Sequence, residues 1–237
     1  MVLNDQKHRM ELAMGQFDKD KQAIVKCARW LSEHGYFGCV RGSGGNISVK
    51  LNRQNMMAIT PSRRPYQEIS LKDICVVDAQ MTSIEGHLAP SVEATMHLSV
   101  YDNRSDVNAV IHTHPVFASI LSIIDKPIPA LFDEITFEIG AEVDVIAYAV
   151  SGSTDLAQNV VSKLGNNCYC YILQNHGALS LGKSLDQAWK NAELLEKVAQ
   201  IYYYALATGK KITTLPANAV EQIYKMRTSA QQKGRTR

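Results

Sequence analysis

The chain has 237 residues, 46% of them hydrophobic and 20% charged, with a formal net charge of +2. That length and apolar content suffice for a substantial core in a single domain, and a charge so close to neutral argues against nucleic acid as a partner. No apolar run is long enough to span a membrane, the start Asn4-Asp5-Gln6-Lys7-His8-Arg9 reads as no leader, and five cysteines give no disulfide framework, so a cytoplasmic protein is expected.

Residues 1–18 read as an N-terminal extension. From Asp20 to His34, Ile24, Val25, Ala28 and Leu31 recur at helical spacing, and Gly35 supplies a stop. Next comes Arg41-Gly42-Ser43-Gly44-Gly45-Asn46, which leads into the alternating strand Ile47-Ser48-Val49-Lys50. Such a loop fits either a cradle that aims backbone N–H groups at an anion or an ordinary tight turn. A second strand, Met56 to Thr60, ends in Thr60-Pro61-Ser62-Arg63-Arg64-Pro65, where hydroxyls and guanidiniums can hold a phosphate or carboxylate. Strands near Ile74 to Asp78 and Met81 to Ile84 follow. Pro90-Ser91 then opens a helix with Ser91 as its cap, Glu93 in its first turn, and Glu93 and His97 on one face.

The run Val107 to Thr113 reads as a strand, which places His112 and His114 side by side in Ile111-His112-Thr113-His114-Pro115. Two imidazoles so placed can grip one metal ion. His176, in Gln174-Asn175-His176-Gly177 after the strand candidate Cys168 to Leu173, offers a third imidazole, and Glu93 offers a carboxylate. Three histidines that leave a coordination position open point to a catalytic divalent ion rather than a structural one. His8, His34 and His87 sit in polar surroundings, and Cys168 and Cys170 lie inside an apolar run and read as buried and inert.

Further helices are expected over Val116 to Ile124, from a Thr154-Asp155 cap to Leu164-Gly165, and from a Ser184-Leu185-Asp186-Gln187 capping box to Gly209, with a strand at Val143 to Ala147. The basic residues Lys225, Arg227, Lys233, Arg235 and Arg237 read as a solvated tail over 211–237, which leaves 19–210 as one domain. The pattern is α/β, with helices around a mixed or mainly antiparallel sheet.

Five motifs in order, Gly44-Gly45-Asn46-Ile47-Ser48, Ile59-Thr60-Pro61-Ser62, Pro90-Ser91-x-Glu93-x-x-x-His97, Ala109-Val110-Ile111-His112-Thr113-His114 and Gln174-Asn175-His176-Gly177, resemble the class II aldolase/adducin family from about Ala23 to Tyr204. The resemblance implies a three-layer α/β/α fold with a central, mainly antiparallel sheet, and a homotetramer. It implies zinc on His112, His114 and His176, with Glu93 as the acid/base that can also ligate the metal. It implies a substrate phosphate held by Gly45, Asn46, Ser62 and Ser91. The expected activity is zinc-dependent retro-aldol cleavage of a short ketose phosphate, of the L-fuculose 1-phosphate kind, to dihydroxyacetone phosphate and an aldehyde. Three positions depart from the pattern of the family's sugar-phosphate aldolases: Val92 replaces a serine, Arg63 a glycine, and Asp133 the tyrosine that protonates the leaving group. Arg63 can replace lost phosphate donors or recognise a carboxylate, which keeps decarboxylation of an oxo acid as the alternative. A non-catalytic, adducin-like interaction module would be expected to lose metal ligands, and here all are present.

Overall fold

The structure is a computed structural model that describes residues 15–38, 44–51 and 56–235. The Arg41-Gly42-Ser43 part of the glycine loop, Cys39 and most of the expected N-terminal extension lie outside the described residues. Helix α1 spans Asp18–Glu33. Strands β1 (Gly45–Leu51), β2 (Met56–Ile59), β3 (Cys75–Val77) and β4 (Ser83–Glu85) follow. Next come α2 (Ala94–Asn103), β5 (Ala109–Thr113), α3 (Val116–Ile123), α4 (Asp133–Glu138) and β6 (Val145–Ile146). The chain closes with α5 (Thr154–Lys163), β7 (Cys170–Leu173), β8 (Gly177–Gly182), α6 (Leu185–Ala207) and α7 (Ala217–Arg235).

The eight strands among the described residues form one sheet in the order β4-β3-β2-β1-β5-β8-β7-β6. Every neighbouring pair is antiparallel except β6 and β7. The strand β5 lies at the centre and is buried at every position. Its alternate residues feed two cores: Val110 joins Met57, Leu179 and the apolar faces of α2 and α5, whereas Ala109 and Ile111 join Ile24, Leu31 and Ala188 on the side of α1 and α6. A third cluster seats α3, α4 and α6 against Cys170, Ile172 and Ala178. A strand covered on both faces reads as a continuous apolar run, as Ala109-Val110-Ile111 does. The arrangement is the expected α/β/α sandwich.

Two helix starts differ from the sequence expectation. Glu93, not Ser91, occupies the cap position of α2, and the Ser91 carbonyl accepts from the Ala94 N–H at 3.1 Å. Ser153, not Thr154, caps α5, its hydroxyl accepting from the Leu156 N–H at 3.1 Å. At α6 the Ser184 hydroxyl accepts from Gln187 N–H at 3.2 Å, but the Gln187 side chain reaches back to the Lys183 N–H rather than that of Ser184.

The segment expected to be a solvated tail instead forms α7, which packs on α4. Arg227 on it is only 7% exposed. Val220, Ile223, Tyr224 and Arg227 recur at helical spacing, and a long guanidinium stem with an aromatic neighbour buries as readily as an apolar side chain. The short α4 was also not anticipated, although Asp133 and Glu134 in its first turn suit a helix start.

Ile111 is fully buried in the central strand. Ile111→Ala should therefore lower unfolding stability by about 2–5 kcal/mol, read as a reduced urea midpoint at unchanged slope.

Candidate metal centre

Register places the site. β1 pairs with β5 so that Asn46 stands opposite His112, and β8 pairs with β5 on the other side so that His112 stands opposite Leu179. His112 therefore shares the sheet face of Val110, which is the face that α2 covers. His114, two residues on, projects to the same side just beyond the strand end. The third imidazole, His176, lies in the tight turn between β7 and β8 rather than on a strand. Asn175 takes the left-handed conformation there, with φ of 54°, which asparagine tolerates better than most residues.

The three imidazoles converge, with their ligand atoms all within 4.8 Å of one another. Nε2 of His114 lies 3.0 Å from Nε2 of His112. Nδ1 of His112 donates to the Ala178 carbonyl at 2.9 Å, which fixes a proton on Nδ1 and turns Nε2 toward the other rings. Burial, followed by the charge of neighbouring imidazoles, pushes His114 down to about 3 and His176 down to about 4, so both are neutral at physiological pH. Three imidazoles with convergent ring nitrogens, one of them held from behind by a hydrogen bond, form a donor set that fits a divalent ion. His112, His114 and His176 are thus residues that can hold a metal.

Glu93, 3% exposed, sits beneath them at the start of α2. Its Oε2 lies 3.2 Å from His112 Nε2 and its Oε1 3.3 Å from His176 Nε2. Asn46 Nδ2 donates to Oε2 and Ser151 Oγ donates to Oε1, each at 2.8 Å. Burial acts to raise the Glu93 carboxyl, but His112, His176 and these two hydrogen bonds outweigh it and hold the group down to about 2. The carboxylate is ionised and hydrogen-bonded, and among the described residues no lysine or arginine forms an ion pair with it.

Of the expected phosphate-site residues, Gly45, Asn46 and Ser91 stand around this centre. Gly45 has φ of 107°, and a Cβ there would run into the His112 carbonyl. Ser91 is buried and its hydroxyl accepts from the Glu93 N–H at 3.3 Å. The Ser62 N–H donates to the Ala89 carbonyl at 2.9 Å, beside a bridge between Pro61 and Pro90 that brings the two serine turns together. Arg63 is exposed in a left-handed turn, with φ of 56°. Asp133 is exposed at the head of α4, and among the described residues no hydrogen bond or ion pair joins it to Glu93 or the imidazoles.

Ser151 was missed in the sequence. Its loop, Ser151-Gly152-Ser153, approaches the start of α2 so closely that a Cβ on Gly152 would lie 2.9 Å from the Val92 carbonyl oxygen. The small residues there were the available signal.

The profile model of the class II aldolase and adducin N-terminal domain matches residues 22–203. The chain belongs to the class II aldolase and adducin family. It is 35% identical over 180 residues to an L-fuculose phosphate aldolase of Methanococcus maripaludis, covering 76% of this chain and 93% of that one. It is 32% identical over 207 residues to a 5-deoxy-D-ribulose 1-phosphate aldolase of Bacillus thuringiensis, covering 87% and 94%. A solved L-fuculose 1-phosphate aldolase superposes with a TM-score of 0.78 at 33% identity, covering 87% of this chain and 94% of that one. On that membership the chain is a metal-dependent, class II aldolase.

The depressed imidazoles set a pH dependence. Unfolded, a histidine takes up a proton near 6.5; folded, His114 and His176 do so only near 3 and 4. Between those values the unfolded state binds more protons, so stability is full above pH 6.5 and is lost as pH falls. The melting temperature of metal-free protein should be flat from pH 7 upward and fall below pH 6.5. His114→Asn should make that fall shallower.

Proposed function

We propose that the chain is a zinc-dependent aldolase that cleaves a short ketose phosphate to dihydroxyacetone phosphate and an aldehyde. The observation that carries this reading is the buried Glu93 carboxylate, with one oxygen against His112 and the other against His176, in a cluster completed by His114. The names of the Methanococcus and Bacillus relatives support a sugar phosphate as substrate.

His112, His114 and His176 would hold the zinc, with Glu93 as a further ligand when no substrate is bound. A divalent ion on these imidazoles supplies Lewis-acid stabilisation of negative charge that develops on substrate oxygen. Glu93 moves the proton. Already ionised at neutral pH, one of its carboxylate oxygens accepts a proton from the carbon beside the carbonyl in the condensation direction and returns it in cleavage. Asn46 and Ser151 orient the carboxylate by their hydrogen bonds. Gly45, Asn46, Ser62 and Ser91 are assigned to the substrate phosphate, and Arg63, beside Ser62, to the same charge. With Asp133 exposed, the leaving-group proton is assigned to no side chain. Exposed Val116, Ile123 and Ile124 near α3 and Ile201 and Tyr204 on α6 favour self-association, which we assign to a homotetramer.

Glu93→Gln should retain the metal and lose about a hundredfold or more in kcat, since an amide keeps the shape but cannot carry the proton. Near-normal turnover in that variant would remove Glu93 from the chemistry. The double variant His112→Ala, His114→Ala should emerge from purification without stoichiometric metal by elemental analysis; full occupancy would displace the ion from these ligands.

Ser62→Ala should raise KM for a phosphorylated ketose more than it lowers kcat, as expected for a group that binds ground and transition states alike. The alternative is decarboxylation of an oxo acid held by Arg63. Carbon dioxide release without triose phosphate, abolished by Arg63→Ala, would overturn the aldolase assignment.

A further inference from the structure

A cavity of about 500 Å³ lies between α7 and the segment that leads into β7, at the end of that strand opposite the His176 turn. Its walls include Arg104, Asp106, Tyr169, Tyr224, Arg227 and Thr228. Two guanidiniums approach the one Tyr169 ring, that of Arg104 at 5.2 Å from the centroid and that of Arg227 at 4.7 Å. They are not equivalent. Arg104 is fully engaged: it makes a bidentate pair with Asp106 at 2.8 and 3.0 Å and donates to the Cys168 carbonyl at 2.9 Å. Asp106 also accepts from the Tyr169 hydroxyl at 2.6 Å, so its carboxylate is committed. Asp144, which accepts from Asn166 of the same wall, lies 3.7 Å from Lys163.

Arg227 is as buried as Arg104, yet among the described residues it forms no ion pair, and its one contact of this kind is the Tyr169 ring. The cavity wall therefore carries two positive charges against one negative. A guanidinium removed from water without an anion is a costly arrangement, and stacking on an aromatic ring offsets only part of that cost. We propose that the cavity binds a small phosphorylated metabolite, with its phosphate on the Arg227 guanidinium. Planar, forked donors suit phosphate oxygens. The volume falls in the range of small-molecule pockets, so the ligand has a body beyond the phosphate, lying along Tyr224 and Thr228. This site is separate from the imidazole cluster and does not rest on the aldolase reading.

Inorganic phosphate titrated calorimetrically into the full, metal-loaded chain tests the assignment. Wild type should show a binding event that Arg227→Gln weakens by about tenfold or more, as loss of a charge-assisted hydrogen bond implies. Ser62→Ala should leave that event in place. Identical isotherms for wild type and Arg227→Gln overturn the proposal. Acetate run in parallel should bind more weakly; equal or tighter binding overturns the phosphate assignment in favour of a carboxylate. Should Arg227→Gln fail to fold, wild-type crystals soaked in phosphate give the second reading. Density hydrogen-bonded to Arg227 is expected, and a cavity without phosphate, or one filled by a carboxylate of a neighbouring copy, overturns the site.

Discussion

A buried carboxylate is the group on which this structure turns. Glu93 is almost wholly removed from water, and an ionised carboxyl in that position persists only when each oxygen is matched by a donor or a cation. Asn46 from β1 and Ser151 from the loop before α5 donate to the two oxygens, and the rings of His112 from β5 and His176 from the β7–β8 turn close on the same pair, so that among the described residues four separate stretches of chain meet here. Each stretch brings one partner and none supplies two. The positive end of the α2 backbone, at whose cap position Glu93 sits, adds to their effect. Any displacement of those segments leaves a charge uncompensated, so the carboxylate fixes their mutual placement as much as they fix its own.

Behind that centre a second polar line runs into the core. Ser48, two residues after Asn46 on the same face of β1, meets His97 Nδ1 at 2.7 Å and the Tyr101 hydroxyl at 2.6 Å. His97, one turn after Glu93 on α2, is fully buried, and burial pushes it down to about 3, so it enters this line as a neutral ring. The pairing of β1 with α2 is thus specified by polar contacts at two successive levels, where apolar packing alone would tolerate more sliding. Tyr66, buried beneath, hydrogen-bonds the Gly45 carbonyl and steadies the strand where the backbone approaches His112 most closely.

Much of this was legible in the sequence because strand spacing is rigid. An His-x-His pair after an apolar run must place both rings on one side, and the structure has them there. His176 and Glu93 were legible as chemistry, but their convergence depends on strand order, which periodicity does not encode. The cap positions are off by one or two residues because Ser153 stands beside Thr154 with an equivalent hydroxyl, and because the backbone at α2 turns helical only after Glu93, whose side chain makes no cap bond. Ser151 escaped notice because a serine in a glycine-containing loop has the same appearance whether it points at solvent or at a carboxylate. The basic residues of α7 suggest a solvated tail, but its apolar residues follow a helical repeat and Arg227 buries with them.

The sheet order has a consequence for how the protein comes into being. The strand that carries His112 is flanked by β1 from near the start of the fold and by β8 from well past its middle. A nascent chain that has emerged only as far as β5 holds two imidazoles and the carboxylate, yet lacks the Ala178 carbonyl that orients one ring and the turn that delivers the third. Pairings so distant in sequence form late, after the loops between them have closed. The three-imidazole arrangement is therefore complete only once β8 has docked on β5.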